Sequence, residues 1–184
     1  MKKVIFLAGF AVFLFANQAQ SQIFLTKQGK IHFFSKTKVE VIEAANKTAN
    51  AVIYASSGKV EWGVTIKGFR FEKALMEQHF NENYMESEKF PKATFKGKIN
   101  DLSSVNFAKD GTYNTSATGD MTIHGVTKQM TVPGQIIVKG GSVQVKSKFD
   151  VYYDDFKIEI PGVVRENFTK SMAVDLDATL EAKK

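Results

Sequence analysis

Residues 143–153 read VQVKSKFDVYY, and this stretch decides the fold class. Small or apolar side chains occupy every odd position from 143 to 151, and polar side chains occupy every even position from 144 to 150. Successive side chains of a β-strand point to opposite faces of the sheet, so this period of two predicts a strand with one buried face.

The same alternation extends outward along the chain. It is long in residues 60–66 (VEWGVTI) and 172–180 (MAVDLDATL), and shorter stretches of it lie at 31–35, 39–45, 93–99 and 121–123. Glycine-containing turns separate the stretches, at Ser57-Gly58, Asp110-Gly111, His124-Gly125 and Gly140-Gly141. Such short loops are typical of antiparallel hairpins. The sequence therefore predicts an all-β protein of about eight or nine strands that close into an antiparallel barrel.

Residues 71–84 break the alternation, because their apolar side chains fall at spacings typical of a helix. The predicted helix ends before Pro91, since proline disfavours the helical conformation at the residue before it. We place the helix between the fourth and fifth strands, where it would cap one mouth of the barrel. A second irregular segment, residues 154–167, is a candidate for the rim of a mouth.

The first residues have the order of a secretory signal peptide. Lys2 and Lys3 are followed by an apolar run at residues 4–15 and then by small and polar residues. Ala19 and Ser21 are small enough for a cleavage site, which predicts cleavage after Ser21, with cleavage after Ala19 as the alternative.

These features divide the chain into a signal peptide at residues 1–21 and one barrel domain at residues 22–184. We expect a periplasmic or secreted protein. The apolar run is shorter than the roughly 20 residues of a membrane helix, so we expect no stable membrane insertion.

The composition argues against several classes of function. The chain has no cysteine, so a hydrophobic core must hold the fold without disulfides. The net charge is +6, and removing Lys2 and Lys3 from the 25 basic residues leaves 23 against 19 acidic ones. The lysines are scattered along the chain, which argues against a nucleic-acid partner.

Residues 119–128 read GDMTIHGVTK, which is similar to the G-x-L-T-I-H-G-V-T-K motif of the YceI-like family. Residues 75–80 (LMEQHF) and 89–95 (KFPKATF) resemble its histidine-containing helix and the strand start that follows. The resemblance extends from about residue 29 to residue 180 of this chain.

The resemblance implies an eight-stranded, lipocalin-like antiparallel barrel in the periplasm with one capping helix. Several members of the family enclose a long polyisoprenoid or a comparable amphiphile in an elongated apolar pocket. The resemblance implies no catalytic constellation and no cofactor.

The histidines do not have the spacing of a metal site, which requires several ligands close together. His32, His79 and His124 are far apart in the sequence, and His79 forms only a weak pair with Glu82 or Glu86. We interpret His79 as a polar edge of the capping helix. We expect the His124 side chain to bond the backbone of its own turn.

Catalytic motifs are also missing from the sequence. It contains neither a G-x-S-x-G elbow nor a glycine-rich phosphate loop ahead of a helix. We interpret the acidic pair Asp154-Asp155 as a turn, and Asp175 and Asp177 as the solvated face of a strand. We therefore expect that the chain is not an enzyme.

The apolar side chains are the remaining indication of function. Of the 16 phenylalanines, twelve follow residue 21, more than core filling requires. An eight-stranded barrel is either filled by side chains or holds one small ligand. Core packing is the better interpretation of each aromatic residue alone, whereas the family resemblance favours a lined pocket for the set.

The predicted pocket residues are Phe33, Trp62, Phe69, Phe71, Met76, Phe80, Tyr84, Phe95 and Phe149. Arg165 and Lys157 are candidates to pair with an anionic head group.

Three hypotheses for the function remain open. The leading one is a protein that binds and sequesters or carries a long-chain apolar or amphipathic lipid, polyisoprenoid-like, outside the inner membrane. The second is a ligand-free interaction or stress-response module with a filled barrel. The third is a hydrolase or lipid-modifying enzyme, which would require polar groups to converge in the pocket. The sequence leaves open whether the chain forms a homodimer.

Overall fold

The computed structural model describes residues 22–37, 41–166 and 169–183, and in this part of the chain eight strands close into one barrel. The strands are β1 (Ile23–Lys36), β2 (Val41–Tyr54), β3 (Lys59–Thr65), β4 (Lys92–Ile99), β5 (Gly111–Ile123), β6 (Val126–Lys139), β7 (Ser142–Tyr152) and β8 (Ser171–Ala182). All neighbours are antiparallel, and β8 returns to pair with β1. The predicted all-β, eight-stranded lipocalin-like barrel is confirmed. The predicted signal peptide, residues 1–21, lies outside the described residues.

The interior of the barrel receives the side chains that the alternation predicts. In β7, Val143 and Val151 are buried whereas Lys146 and Lys148 are exposed. In β8, Ala178 and Leu180 are buried inside the barrel. Burying these apolar faces is the main stabilising contribution, because the chain has no cysteine to form a disulfide.

One end of the barrel is filled, and we refer to it as the closed end. Here β1 begins and β8 ends. Phe24, Val143 and Leu180 are completely buried at this end. Phe107, from the connection between β4 and β5, stacks on Phe24 with 5.7 Å between the ring centroids. This packing seals the bottom of the barrel.

The helix lies at the opposite end, which we refer to as the mouth. It consists of α1 (Ala74–His79) and a π-helical turn (Phe80–Tyr84), and it connects β3 to β4. Our placement between the fourth and fifth strands was wrong, because three strands precede the helix. The reason is that β2 is one long strand whose buried face carries Ala44, Ala49 and Ala51, and alanine gives only a weak apolar signal.

The helix is also shorter than residues 71–84. The Phe71 backbone N–H donates to the Glu77 side chain at 3.2 Å. This side-chain contact holds the chain just before α1, in place of a helical backbone hydrogen bond. The helix begins at Ala74 after the extended residue Lys73. A second helix, α2 (Gly162–Arg165), has a single turn. Among the described residues, neither helix has the length and apolarity needed to cross a bilayer.

Two hairpins have the tight turns that the glycines predict. His124 and Gly125 join β5 to β6 with φ values of 51° and 72°, and Gly140 and Gly141 join β6 to β7 with 57° and 82°. Two consecutive residues with positive φ form the type I′ turn, whose twist matches that of the flanking strands.

Candidate ligand cavity

The barrel encloses a cavity of about 190 Å³, which we refer to as the lumen cavity. All eight strands contribute lining residues, among them Ile31, Ile53, Trp62, Phe95, Met121, Val132, Phe149 and Leu176. The lining includes none of the residue types Asp, Glu, Lys, Arg or His. Threonine, serine and tyrosine supply its polar side chains, at Thr94, Thr115, Ser116, Ser147 and Tyr153.

A second cavity of about 380 Å³ lies between the helix and the mouth, and we refer to it as the mouth cavity. It is lined mainly by apolar residues, including Ile42, Leu75, Ile160 and Met172. Its charged and titratable lining residues are Lys73, His79, Tyr84 and Tyr153. Apolar surface therefore continues from the barrel interior to the helix, and the Lys and His side chains line the outer cavity.

The two cavities adjoin each other. Five residues line both of them: Phe80, Met85, Tyr153, Ile158 and Met172. Apolar lining therefore continues from the barrel interior to the underside of the helix.

A cluster of four phenylalanines lies where the two cavities meet. The Phe80 ring from the helical segment contacts Phe33, Phe69 and Phe71, with centroid distances of 5.4, 5.8 and 5.0 Å. Phe33 also contacts Phe69 at 5.2 Å and Phe71 at 5.6 Å. These edge and tilted contacts are favourable for aromatic rings, so the cluster fixes the helix over the barrel and narrows the mouth.

All nine predicted pocket residues line one of the two cavities. Phe33, Trp62, Phe69, Phe80, Phe95 and Phe149 line the lumen cavity. Phe71, Met76, Phe80 and Tyr84 line the mouth cavity. Whether a ligand contacts them remains a prediction.

Sequence reasoning missed several residues that line the lumen cavity. Met172, Val174 and Leu176 of β8 line the lumen cavity, and so do Met85 and Met121. The alternation of residues 172–180 contained the signal for the β8 residues. The prediction favoured aromatic over aliphatic residues as pocket residues.

Burial at the mouth affects the pKa of one side chain, that of Tyr84. Burial raises the pKa of Tyr84 above its ordinary value of 10.0, and the neighbouring Tyr153 raises it further. Tyr84, which lines the mouth cavity, therefore stays neutral to a higher pH than an exposed tyrosine does.

The two residues predicted to pair with a head group lie elsewhere. Arg165 Nη2 lies 3.3 Å from Asp154 Oδ1, and Lys157 is exposed after the turn at residues 154–156. Neither is among the residues lining the cavities. The cationic side chain that does line the mouth cavity is that of Lys73.

The histidines have separate structural surroundings. His32 lies 3.4 Å from Glu43 on the outer wall, and His79 lines the mouth cavity. The expectation that His124 bonds the backbone of its own turn is wrong. Its Nε2 lies 2.8 Å from Glu86 Oε2 and its Nδ1 lies 3.3 Å from the carbonyl oxygen of Phe156, because β5 ends beside both segments.

A search for clusters of at least three His, Cys, Asp or Glu side chains able to hold a metal ion found none among the described residues. Asp154 and Asp155 form separate ion pairs, with Arg165 and Lys128 respectively.

Comparison with known proteins gives one family match and several similar folds. A family model described as "YceI-like domain" matches residues 16–182. A search among curated proteins found no match.

Three solved structures have the same fold. A polyisoprenoid binding domain from Saccharophagus degradans, implicated in plant cell wall breakdown, is 14% identical with a TM-score of 0.74, covering 88% of this chain and 98% of that one. Burkholderia cenocepacia BcnA is 16% identical with a TM-score of 0.66, covering 83% and 95%. A Campylobacter jejuni YCEI protein is 16% identical with a TM-score of 0.52, covering 100% and 99%. At these identities the likeness shows the fold alone.

Proposed function

The chain belongs to the YceI-like domain family, and on that premise we propose that its barrel binds a long-chain apolar or amphipathic lipid of the polyisoprenoid kind. The protein would sequester or carry this lipid without transforming it. The observation that carries the proposal is the apolar space formed by the lumen cavity and the mouth cavity, whose inner part has no Asp, Glu, Lys, Arg or His in its lining.

Elementary energetics support such a ligand. Each methylene group moved from water into an apolar site contributes about 0.8 kcal/mol, so a long chain binds tightly with little polar recognition. Discrimination would then follow the length and width of the chain. The polyisoprenoid in the description of the Saccharophagus degradans domain belongs to that protein, and it supports this ligand class for the present chain only by analogy.

Extraction tests the proposal directly. Purified protein would be extracted with organic solvent and the extract analysed by mass spectrometry, with Val174→Trp as a variant that fills the lumen cavity. Ala173→Trp is the matched control, because Ala173 is its neighbour on β8 and is exposed on the outer wall.

We expect one class of long-chain lipid from the wild type and from Ala173→Trp, and much less of it from Val174→Trp. Recovery of no apolar compound from the wild type, together with no binding of added polyisoprenol, would contradict the proposal.

The small lumen cavity favours the alternative function, a ligand-free interaction or stress-response module with a filled barrel. Pockets for small molecules usually have volumes of about 300–1,000 Å³. The lumen cavity is smaller, at 190 Å³, and a lipid would have to occupy the mouth cavity as well. The same extraction separates the two functions, since a module of this kind would yield no lipid.

We also propose that the protein acts outside the inner membrane. The support is the order of charged, apolar and small residues in positions 1–21. Amino-terminal sequencing of the protein recovered from the periplasm would test this, and we expect it to begin at Gln22. A cytoplasmic protein that retains Lys2 and Lys3 would contradict the proposal.

A further inference from the structure

The barrel wall is incompletely paired between β6 and β7. Backbone pairs join these strands only from Gln135↔Lys146 to Lys139↔Ser142. Residues 126–134 of β6 continue to pair with β5, and residues 147–152 of β7 continue to pair with β8. We refer to the gap between these two segments as the seam.

Pro133 lies two residues beyond the last backbone pair, Gln135↔Lys146, and limits how far the ladder could extend. Its carbonyl oxygen accepts a hydrogen bond from the Ser147 hydroxyl at 2.5 Å, so it faces β7. In an antiparallel strand the N–H and C=O of one residue point to the same neighbour. The nitrogen of Pro133 therefore also faces β7, and proline has no N–H to donate to the ladder.

The upper part of the seam, near the mouth, is covered. The 3₁₀ turn Asp154–Phe156 packs there, with Phe156 completely buried and Asp155 paired with Lys128 of β6. In the lower part, between residues 132–134 and residues 147–149, the Ser147 hydroxyl donates to the Pro133 carbonyl oxygen, and the described residues form no backbone pair there.

The other short ladder in the wall is closed differently. β2 and β3 also share only five backbone pairs. Beyond them, two backbone hydrogen bonds of 3.1 and 2.9 Å join Ala45 and Arg70, and the Asn46 side chain donates to the Thr65 carbonyl oxygen at 3.0 Å. The seam has no comparable backbone closure in its lower part, as far as the described residues extend.

The lumen cavity reaches this lower part of the seam. Val132 and Gly134 from one edge and Ser147 and Phe149 from the other line the cavity, and none of the four is fully buried. Pro133, which is exposed, also lines it. The closed end is filled by Phe24 and its neighbours, and the phenylalanine cluster narrows the mouth. The lower part of the seam is therefore a candidate way into the lumen besides the mouth.

On the basis of the proposed function, we propose that the lower part of the seam is a lateral portal for the ligand. The apolar chain of a slender amphiphile passes between β6 and β7 when the hydrogen bond from Ser147 to Pro133 opens. The helix at the mouth then remains in place during loading. The ligand class that fits is a flexible chain, because a rigid ring system is wider than a gap between two strands.

A reversible crosslink across the seam tests the portal. Extending the ladder by one pair beyond Gln135↔Lys146 sets Gly134 opposite Ser147. A Cβ atom at Gly134 meets only the Lys146 carbonyl oxygen, at 3.7 Å, so cysteine fits there. The variant Gly134→Cys/Ser147→Cys is made in a chain without other cysteines. The control is Thr118→Cys/Thr131→Cys, on the paired strands β5 and β6, where the two hydroxyls lie 2.7 Å apart.

The readout uses the single tryptophan of the chain, Trp62, which lines the lumen cavity. Energy transfer from Trp62 to cis-parinaric acid, a fluorescent fatty acid, reports loading in stopped flow. We expect the oxidised seam variant to load at least about tenfold more slowly than its reduced form, as for a site behind a closed lid. The control pair should load equally in both states.

The outcomes separate the portal from the proposed function. Loading at the same rate in the oxidised and reduced seam variant would overturn the portal and leave lipid binding intact. An absence of energy transfer in the wild type would overturn both.

A second variant does not depend on disulfide formation. Pro133→Val supplies the missing N–H and allows the ladder to extend, so we expect slower loading than in the wild type. Gln129→Val is its control, because it lies on the same exposed face of β6 and leaves the backbone donors unchanged. Loading by Pro133→Val at the wild-type rate, with the β6–β7 amides shown to be protected by hydrogen exchange, would overturn the portal.

Discussion

His124 joins three segments of the chain through one imidazole ring. Its Nε2 lies 2.8 Å from Glu86 Oε2, its Nδ1 lies 3.3 Å from the Phe156 carbonyl oxygen, and the Phe90 ring packs edge-on at 4.7 Å. Glu86, His124 and Lys157 are the non-glycine residues with positive φ in the described part of the chain, and all lie at this junction. Such backbone conformations persist only where the surroundings hold them, so His124 stabilises strained connections at the mouth.

We expect His124→Ala to lower the free energy of unfolding by about 1–3 kcal/mol, because it leaves the Phe156 carbonyl oxygen without its partner. Urea unfolding followed by circular dichroism measures the change. His32→Ala is the control, since the exposed pair of His32 with Glu43 should contribute about 0–1 kcal/mol. Equal losses in the two variants would contradict the role of His124 at the junction.

Tyr84 should make stability fall at alkaline pH. Because its pKa is raised in the folded protein, the unfolded chain loses this proton first as the pH rises above 10.0. Above that pH the folded state binds more protons than the unfolded state, so the free energy of unfolding decreases as pH rises. Tyr84→Phe should show a smaller decrease than the wild type in urea titrations at alkaline pH. An identical pH dependence in the two proteins would contradict this assignment.

Among the elements, the segment made of α1 and the π-helical turn depends on tertiary packing for its stability. It is only eleven residues long, and isolated helices shorter than about 12–15 residues are marginal in water. α1 has no side-chain cap at its start and no fully buried residue, whereas Phe80 in the π turn is buried among three other rings. The phenylalanine cluster therefore holds the segment on the barrel.

Phe80→Ala should release this segment while the barrel stays folded. Truncation of a buried phenylalanine costs about 3–5 kcal/mol, and here the loss falls mainly on the contact between helix and barrel. Hydrogen exchange is the measurement: protection should be lost in residues 74–85 and kept in β5 to β8. Leu75→Ala is the control, because Leu75 is 62% exposed on the same helix. Uniform loss of protection across the barrel would contradict the prediction that Phe80 holds only the helical segment in place.

For the whole molecule, the proposed ligand should act as a stabiliser. A lipid that binds only the folded barrel contributes about 2.7 kcal/mol when its free concentration is 100 times the Kd. The protein as purified should therefore unfold at a higher temperature than the protein after removal of lipid, and added polyisoprenol should restore the difference. Val174→Trp should show no such shift, and a shift equal to that of the wild type would contradict binding in the lumen.

The barrel could be predicted from sequence because alternation is a local property. β3, β7 and β8 each bury one face, and their side chains show it within a few residues. β2 was harder to delimit, because its inward alanines resemble a polar pattern as much as an apolar one. The helix was predicted in type and overestimated in length, since the contact from Phe71 to Glu77 depends on side chains that sequence periodicity does not describe.

The surroundings of the cavity depend on contacts between distant residues. The partners of His124 are 38 and 32 residues away in the sequence, so its turn gave no indication of them. The seam likewise depends on the register of β6 against β7. Pro133 contained a signal, since proline inside a strand marks an edge. The predicted hairpin at Gly140-Gly141 placed β7 opposite, but the sequence did not show that the ladder would stop at Gln135.

The pairing of the first strand with the last has a consequence for the order of events in synthesis. Residues 30–34 of β1 pair with residues 173–177 of β8, so the barrel cannot close until β8 has left the ribosome. A partly synthesised chain would have two unpaired strand edges. It would fold slowly, because the contacts that close the barrel join residues far apart in the sequence. Such a delay would suit a polypeptide threaded through a secretion channel in extended form, because it would become compact only on the far side.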